Sequence, residues 1–467
     1  MPAWLKQLLP ILLLLGAIFV VVRRLPKIDL GHSEAFKRRR FFNWFPLGLT
    51  YAFLYMGRYN LSANVPALDE LHLLNKQEFG LLDGVGSAVY GVAFLLNGPL
   101  TDRWGGRATI LIAAGGSALM NVLMGAAVRM AEGGQMDHGA LIRALTFLYA
   151  ANMYFQSFGA VSIVKVNAPW FHVRERGMLG GVFGILISLG LYFAYDWTRF
   201  IGESLPMQWA FHIPALLLFG FLVLDWFVIR DTPGQAGFQD FDTADASSGD
   251  TGPRLGLRAV VRQMFSQRVI WIIVAIEFCS GFLRNAVMKW YLVFADKTGI
   301  KAGFVAANWG VLLCIAGILG GVFAGFISDH VFGSRRGPVA SVLYAGLVVG
   351  AVGLLFVLGH PAAGWTVVFM SLCVIGVHGM LSGTASMDFG GKKNAGVATG
   401  IIDGFVYLGT AAQSFLYGAI LPQGDAAKDP GSWIQWPVAM LPVAVVGLVL
   451  ATRVWNARPQ RAPAAAR

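Results

Sequence analysis

A chain of 467 residues that is 56% hydrophobic and only 13% charged departs from a soluble domain, in which about a quarter of residues are charged. That balance excludes an ordinary water-soluble fold and makes a lipid bilayer the solvent to expect. The formal charge of +11 is spread between apolar segments rather than gathered in one patch, which excludes nucleic acid as the expected partner. Cys279, Cys314 and Cys373 lie singly within apolar stretches, so neither a disulfide framework nor a metal site is indicated, and no cofactor is expected.

A bilayer core about 30 Å thick takes roughly 20 helical residues to cross. Apolar runs recur at 5–22, 41–66, 79–99, 108–129, 143–165, 177–198, 208–229, 269–294, 304–327, 338–358, 365–386, 396–420 and 434–452. The expected fold is therefore all-α and integral to the membrane, with twelve helices in two six-helix halves plus one extra N-terminal helix. The leading run ends at Arg23 and Arg24 without a small-residue cleavage site, which reads as a retained anchor with its N-terminus outside. The expected divisions are 1–40 for this helix and a basic segment, 41–230 and 269–453 for the halves, 231–268 for a polar linker, and 454–467 for a tail.

If the later segments alternate across the membrane, one set of connections holds 25 of the 36 Lys and Arg residues and the other holds nine. The positive-inside rule assigns the first set to the cytoplasm, with the C-terminus there. The cell (inner) membrane is the expected location and a monomer the expected state.

Gly98 to Arg107, with Asp102, Arg103 and Gly105, follows the second helix of the first half. Gly325 to Arg336, with Asp329, Gly333 and Arg335, follows the second helix of the other, the aspartates lying 227 positions apart. Such internal repeats accompany a central pathway with its site near the midplane. Asp102 with Arg103 and Arg107, and Asp329 with Arg335 and Arg336, are candidate gating pairs. Lys165, Glu175 and Arg176 could complete the first cluster.

The two remaining cations, Arg58 and Arg284, lie deep in the first and seventh helices of the twelve, 226 residues apart. An arginine at helix centre costs about 2.5 to 3.5 kcal/mol on insertion scales, so it persists where it faces a cavity or a partner. Guanidinium grips phosphate or carboxylate through a planar fork, and two forks from opposite halves suit a small dianion such as a phosphate monoester. The competing reading neutralises each within its own half, and Glu277, two turns before Arg284, is the available acid. Tyr51 and Tyr55 share the Arg58 face, and Tyr90 and Gln156 are further candidates to line the site. Asp403 and His378, with Glu277, are intramembrane groups able to carry a coupling proton.

At these residues the sequence resembles the major facilitator superfamily, and within it the organophosphate:phosphate antiporters that include glycerol-3-phosphate and hexose-phosphate transporters. The resemblance spans about 41 to 453. It rests on Gly98 to Arg107, on Trp170-Phe171 with Glu175-Arg176-Gly177, on Arg230 to Pro233 with Gly237, and on Lys392-Lys393 with Gly396. It implies alternating access, exchange of organophosphate for phosphate, and phosphate-gripping roles for Arg58 and Arg284. A lysine, a histidine and a tyrosine expected in the glycerol-3-phosphate branch are replaced by Phe94, Ile187 and Gly281. Transport of another anion such as a carboxylate or nitrate with proton coupling, and sensing of sugar phosphates without sustained flux, are the alternatives. No nucleophile with a base and no nucleotide-binding loop is visible, so an enzyme is not expected.

Overall fold

A computed structural model of the protein describes residues 11–12, 16, 31–172, 186–243, 262, 268–300, 303–327, 331–332 and 336–456. In chain order the main helices are α1 (Glu34–Ala63), α2 (Lys76–Trp104), α3 (Gly106–Glu132), α4 (His138–Asn167), α5 (186–204), α6 (Trp209–Val228), α7 (Arg268–Met288, resuming as Trp290–Lys297), α8 (Trp309–Phe326), α9 (Arg336–Val357), α10 (Ala362–Ile420) and α11 (Gln435–Arg453). No strand occurs among the described residues. The leading run at 5–22 lies almost wholly outside them, only Ile11, Leu12 and Gly16 being described.

Polar caps set where the helices begin. The Ser33 hydroxyl accepts from the Phe36 N–H at α1, and Asn75 and Glu78 form a reciprocal capping box at α2, satisfying amide groups the bilayer cannot. Between α2 and α3 the chain turns at Gly105 with φ of +90°, and a Cβ there would fall 2.5 Å from the Asp231 carboxylate. Asp231 in turn accepts from the Arg107 backbone N–H at 2.7 Å, so the first residue of the expected linker locks this turn.

At 1.5 Å per residue the 59-residue α10 traces about 90 Å, three bilayer cores. It turns back on itself: Gly364 lies beside Tyr291 and Val305, Gly418 faces Gly80, and all of these belong to one end of the bundle. Its arms, 362–381 and 397–420, are the expected tenth and eleventh segments. With the arms counted separately, the helices follow the twelve expected segments one for one. Seven of the described helices are long and apolar enough to cross a membrane on length and composition alone. Those that fall short, such as α1 with its Arg38-Arg39-Arg40 run and buried Arg58, carry the charge that a protein interior shelters and lipid does not.

Two seams join the halves, α2 against the second arm of α10, and α5 against α8. Gly91 faces Gly404 on the first, and Gly317 meets Ser188 on the second. At the arginine-rich end, described polar contacts stay within the N-terminal half: Lys165 pairs with Asp102 at 2.7 Å, Arg39 donates to the Val228 carbonyl, and Asn43 to that of Arg230. At the opposite end they cross between halves. Lys297 pairs with Asp69, Lys76 donates to the Leu421 and Pro422 carbonyls, and Arg199 donates to those of Ala306 and Ala307 at 2.7 Å each. Asp196 reinforces that closure by accepting the Gly310 and Val311 N–H groups at the start of α8.

Candidate anion site between the halves

A polar ladder inside the N-terminal half fixes Arg58. Asn121 and Asn152 both donate to the Gly57 carbonyl, at 3.1 and 2.9 Å, and Asn60 donates to Asn121 at 2.8 Å. Gln156 donates to the Leu54 carbonyl at 2.9 Å and to Ser117 at 2.7 Å. Its oxygen then accepts from Arg58 Nε and Nη2 at 3.2 and 3.1 Å. Interhelical bonds of this kind contribute about 0.6 kcal/mol each, up to about 2, so the ladder defines one orientation of the guanidinium. Both polar atoms of the Gln156 amide are thus engaged by protein partners, its oxygen by Arg58.

The remaining Arg58 edge points across the interface, where Nη1 donates to the Tyr407 hydroxyl of α10 at 3.2 Å. The rings of Tyr90 and Tyr55 lie 4.6 and 4.7 Å from its central carbon. Arg284 approaches the same Tyr407 from the other half, 5.1 Å from the ring centroid. Aromatic faces stabilise a desolvated cation by about 0.5 to 2 kcal/mol without cancelling its charge. Among the described residues no carboxylate lies within ion-pair distance of either guanidinium. Tyr51 stands edge-on to Tyr55 at 5.3 Å.

Arg58, Tyr59, Ser87, Met153, Arg284, Asn285, Met288, Lys289, Tyr407 and Thr410 line one cavity with about 10 Å³ of free space, room for a single water. The hydroxyls of Ser87 on its wall and Tyr90 beside it are buried without hydrogen-bond partners among the described residues. Sequence reasoning missed Ser87, Tyr59 and Tyr407. Serine and tyrosine are common helix-packing residues, and nothing in the sequence places α10 against α1.

It also misplaced Lys289, which counts by sequence as a charge in a connection. The break in α7 between Met288 and Trp290 puts it inside the bundle, ion-paired with the fully buried Asp83 of α2. Asp83 also accepts from Ser414 at 2.6 Å, Asn285 at 3.1 Å and Tyr149 at 3.3 Å, while Asn285 reaches Gln413. This layer separates the arginine cavity from the closed end. Three cations, Arg58, Arg284 and Lys289, thus line the cavity, and the acid paired with Lys289 is Asp83.

Glu277 is buried and lies 3.3 Å from His378 Nδ1 on the first arm of α10, and no ion pair between it and Arg284 is seen among the described residues. Asp403 is buried on the second arm. Of the candidate gating residues, Asp102 pairs with Lys165, Arg107 donates to the Trp226 carbonyl at 2.6 Å and no partner is seen for Arg103 among the described residues. Glu175, Arg176, Asp329 and Arg335 lie outside the described residues, as does the side chain of Arg336.

A twelve-segment helical bundle with a charged site where its halves meet is the architecture of a membrane transport protein. Residues 47–414 match the model of the Major Facilitator Superfamily, and the chain belongs to that family; it is a multi-pass membrane transporter by fold and not an enzyme. It is similar to a probable hexose phosphate transport protein of Chlamydia trachomatis, 25% identical over 467 residues covering 93% of this chain and 94% of the relative. It is also similar to the glycerol-3-phosphate transporter of Bacillus subtilis, 24% identical over 92% and 95%. Membrane sensor protein UhpC of Salmonella typhimurium is 25% identical over 80% and 83%. Among solved structures, an inward-facing bacterial homologue of the lysosomal transporter Spinster shares the fold with a TM-score of 0.66 and 12% identity, covering 93% of this chain and all of the other.

Proposed function

We propose that this protein is a secondary transporter of a small phosphorylated anion, an organophosphate or inorganic phosphate, exchanging one for the other by alternating access. The observation that carries the reading is the pair of buried guanidiniums, one from each half, that meet at Tyr407 without a carboxylate partner among the described residues. A phosphate monoester carries about −1.5 to −2 near neutral pH, which suits a cavity lined by three cationic side chains. Two forks and the unpartnered Ser87 and Tyr90 hydroxyls supply donors to several phosphate oxygens. The phosphorylated substrates named for the Chlamydia and Bacillus relatives support the same class.

In this reading 41–230 and 269–453 are the moving halves, and the arginine-rich end and C-terminus face the cytoplasm of a cell (inner) membrane protein. The closed end is then the outer gate. A cavity sized for one water is too small for phosphate, so each half-cycle must part the halves around the arginines. The test is uptake of radiolabelled phosphate by proteoliposomes loaded with unlabelled phosphate. Exchange that disappears in Arg58→Ala and Arg284→Ala is the expected result. Binding of phosphate esters without exchange would replace transport with sensing, and no phosphate recognition by folded protein would turn the site over to a carboxylate or nitrate.

A further inference from the structure

The buried acid and imidazole in the C-terminal half have no part in gripping an anion, yet they sit two helical turns from a residue that does. Glu277 of α7 is completely buried; its Oε2 lies 3.3 Å from His378 Nδ1 on the first arm of α10, and its Oε1 has no partner among the described residues. His378 keeps 23% of its side chain exposed against 0% for Glu277. A buried carboxylate oxygen with no donor is costly in a membrane interior and is satisfied when the carboxyl itself takes a proton.

We infer that Glu277 and His378 form a proton-binding dyad that ties net anion uptake to proton entry. The inference rests on reading Arg284 as an anion-binding residue, seven positions along the same helix face. The groups facing the dyad are Arg284 and Cys279 on α7, Tyr344 on α9, whose hydroxyl donates to the Ile276 carbonyl at 2.6 Å, and Asp403 on the second arm of α10. While the site is empty, Arg284 offsets the negative charge of Glu277 and Asp403. An anion bound to Arg284 removes that compensation, and a proton on the dyad restores it. Anion and proton therefore favour each other's binding, and the coupling is reciprocal. The proton enters through His378, the less buried member, stays on the dyad while the anion crosses, and leaves on the far side. Exchange of one phosphate for another moves no net proton and does not need the dyad to titrate.

The experiment compares two assays on the full-length protein in proteoliposomes, with inorganic phosphate as the probe and the membrane potential clamped. One is phosphate exchange at equal pH, and the other is accumulation into phosphate-free vesicles with the outside one pH unit more acid. Wild type is expected to exchange and to accumulate phosphate up to about tenfold, the limit one proton sets for a tenfold gradient. Glu277→Gln and His378→Gln are expected to exchange at the wild-type rate without accumulating. Phosphate itself titrates near neutral pH, so the variants rather than the wild-type response alone carry the test. Accumulation by exchange-competent variants equal to wild type, or wild-type exchange indifferent to the gradient, overturns the dyad and leaves the anion site standing. Absence of exchange in all three proteins overturns the anion reading and the dyad with it.

Discussion

A guanidinium presented to an anion must be desolvated, oriented and left unpaired at once, and at Arg58 different neighbours meet those needs. Gln156 fixes the plane through Nε and Nη2, the Tyr90 and Tyr55 rings replace water, and Nη1 is shared with Tyr407. Arg58→Lys keeps the charge and loses the fork; a hydrogen bond to a charged group contributes about 1.5 to 3 kcal/mol, so phosphate affinity measured by calorimetry should fall roughly 10- to 100-fold. Gln156→Glu should be worse than Gln156→Leu, because a carboxylate there would neutralise the arginine rather than merely release it. The same calorimetry checks this, and equal binding by the two variants would refute the positioning role. The Ser87 hydroxyl has no hydrogen-bond partner among the described residues, so Ser87→Ala should leave the melting temperature unchanged and weaken phosphate binding several-fold. Arg58 and Arg284 were legible in the sequence because a charge inside an apolar run is rare. Ser87 and Tyr407 were not, since their significance lies in which helix they face.

The glycines where α7 meets α10 show why one residue type can decide how helices meet. Gly281 abuts the second arm of α10 so closely that a Cβ would fall 1.7 Å from the Val406 carbonyl oxygen, and Gly409 abuts the Phe278 carbonyl from the other side. Small residues let membrane helices approach until backbones touch. Here that approach brings Tyr407 beside Arg284. The glycine that departs from the expected tyrosine is thus a packing residue of this chain, and Phe94, in place of the expected lysine, stacks on Tyr407 at 5.7 Å. Gly281→Tyr should force α7 and α10 apart and lower the melting temperature in detergent by several degrees, overpacking of this kind costing about 1 to 3 kcal/mol or more. An unchanged melting temperature would mean that the helices separate freely. Hydropathy alone read the course of these helices correctly, whereas the α7 break that buries Lys289 was hidden, since a charge in the last turns of an apolar segment fits a connection equally well.

At the scale of the molecule, the described contacts between halves are layered from the arginine cavity outward: Asp83 with Lys289, then Lys297 with Asp69, with Lys76 and Arg199 holding backbone carbonyls of the other half. The repeat in the sequence disclosed the two halves but not this closure, because its partners sit at unrelated positions and several had been read as ordinary charges in connections. The inner layer is the informative one to break. Removing one member of a buried ion pair strands the other and costs about 3 to 5 kcal/mol, while replacing both is often close to neutral. Asp83→Asn and Lys289→Gln should each lower the melting temperature, and the double variant should recover most of the loss. With folding restored, the double variant has lost the charged tie between α2 and α7, which favours states open at that end. A cysteine introduced at Asn285, beside the pair and on the cavity wall, should then react faster with a membrane-impermeant thiol reagent applied from that side than the same cysteine in the otherwise unaltered protein; Cys279, Cys314 and Cys373 are buried and give a low background. Equal labelling rates would show that the outer contacts alone hold the end shut.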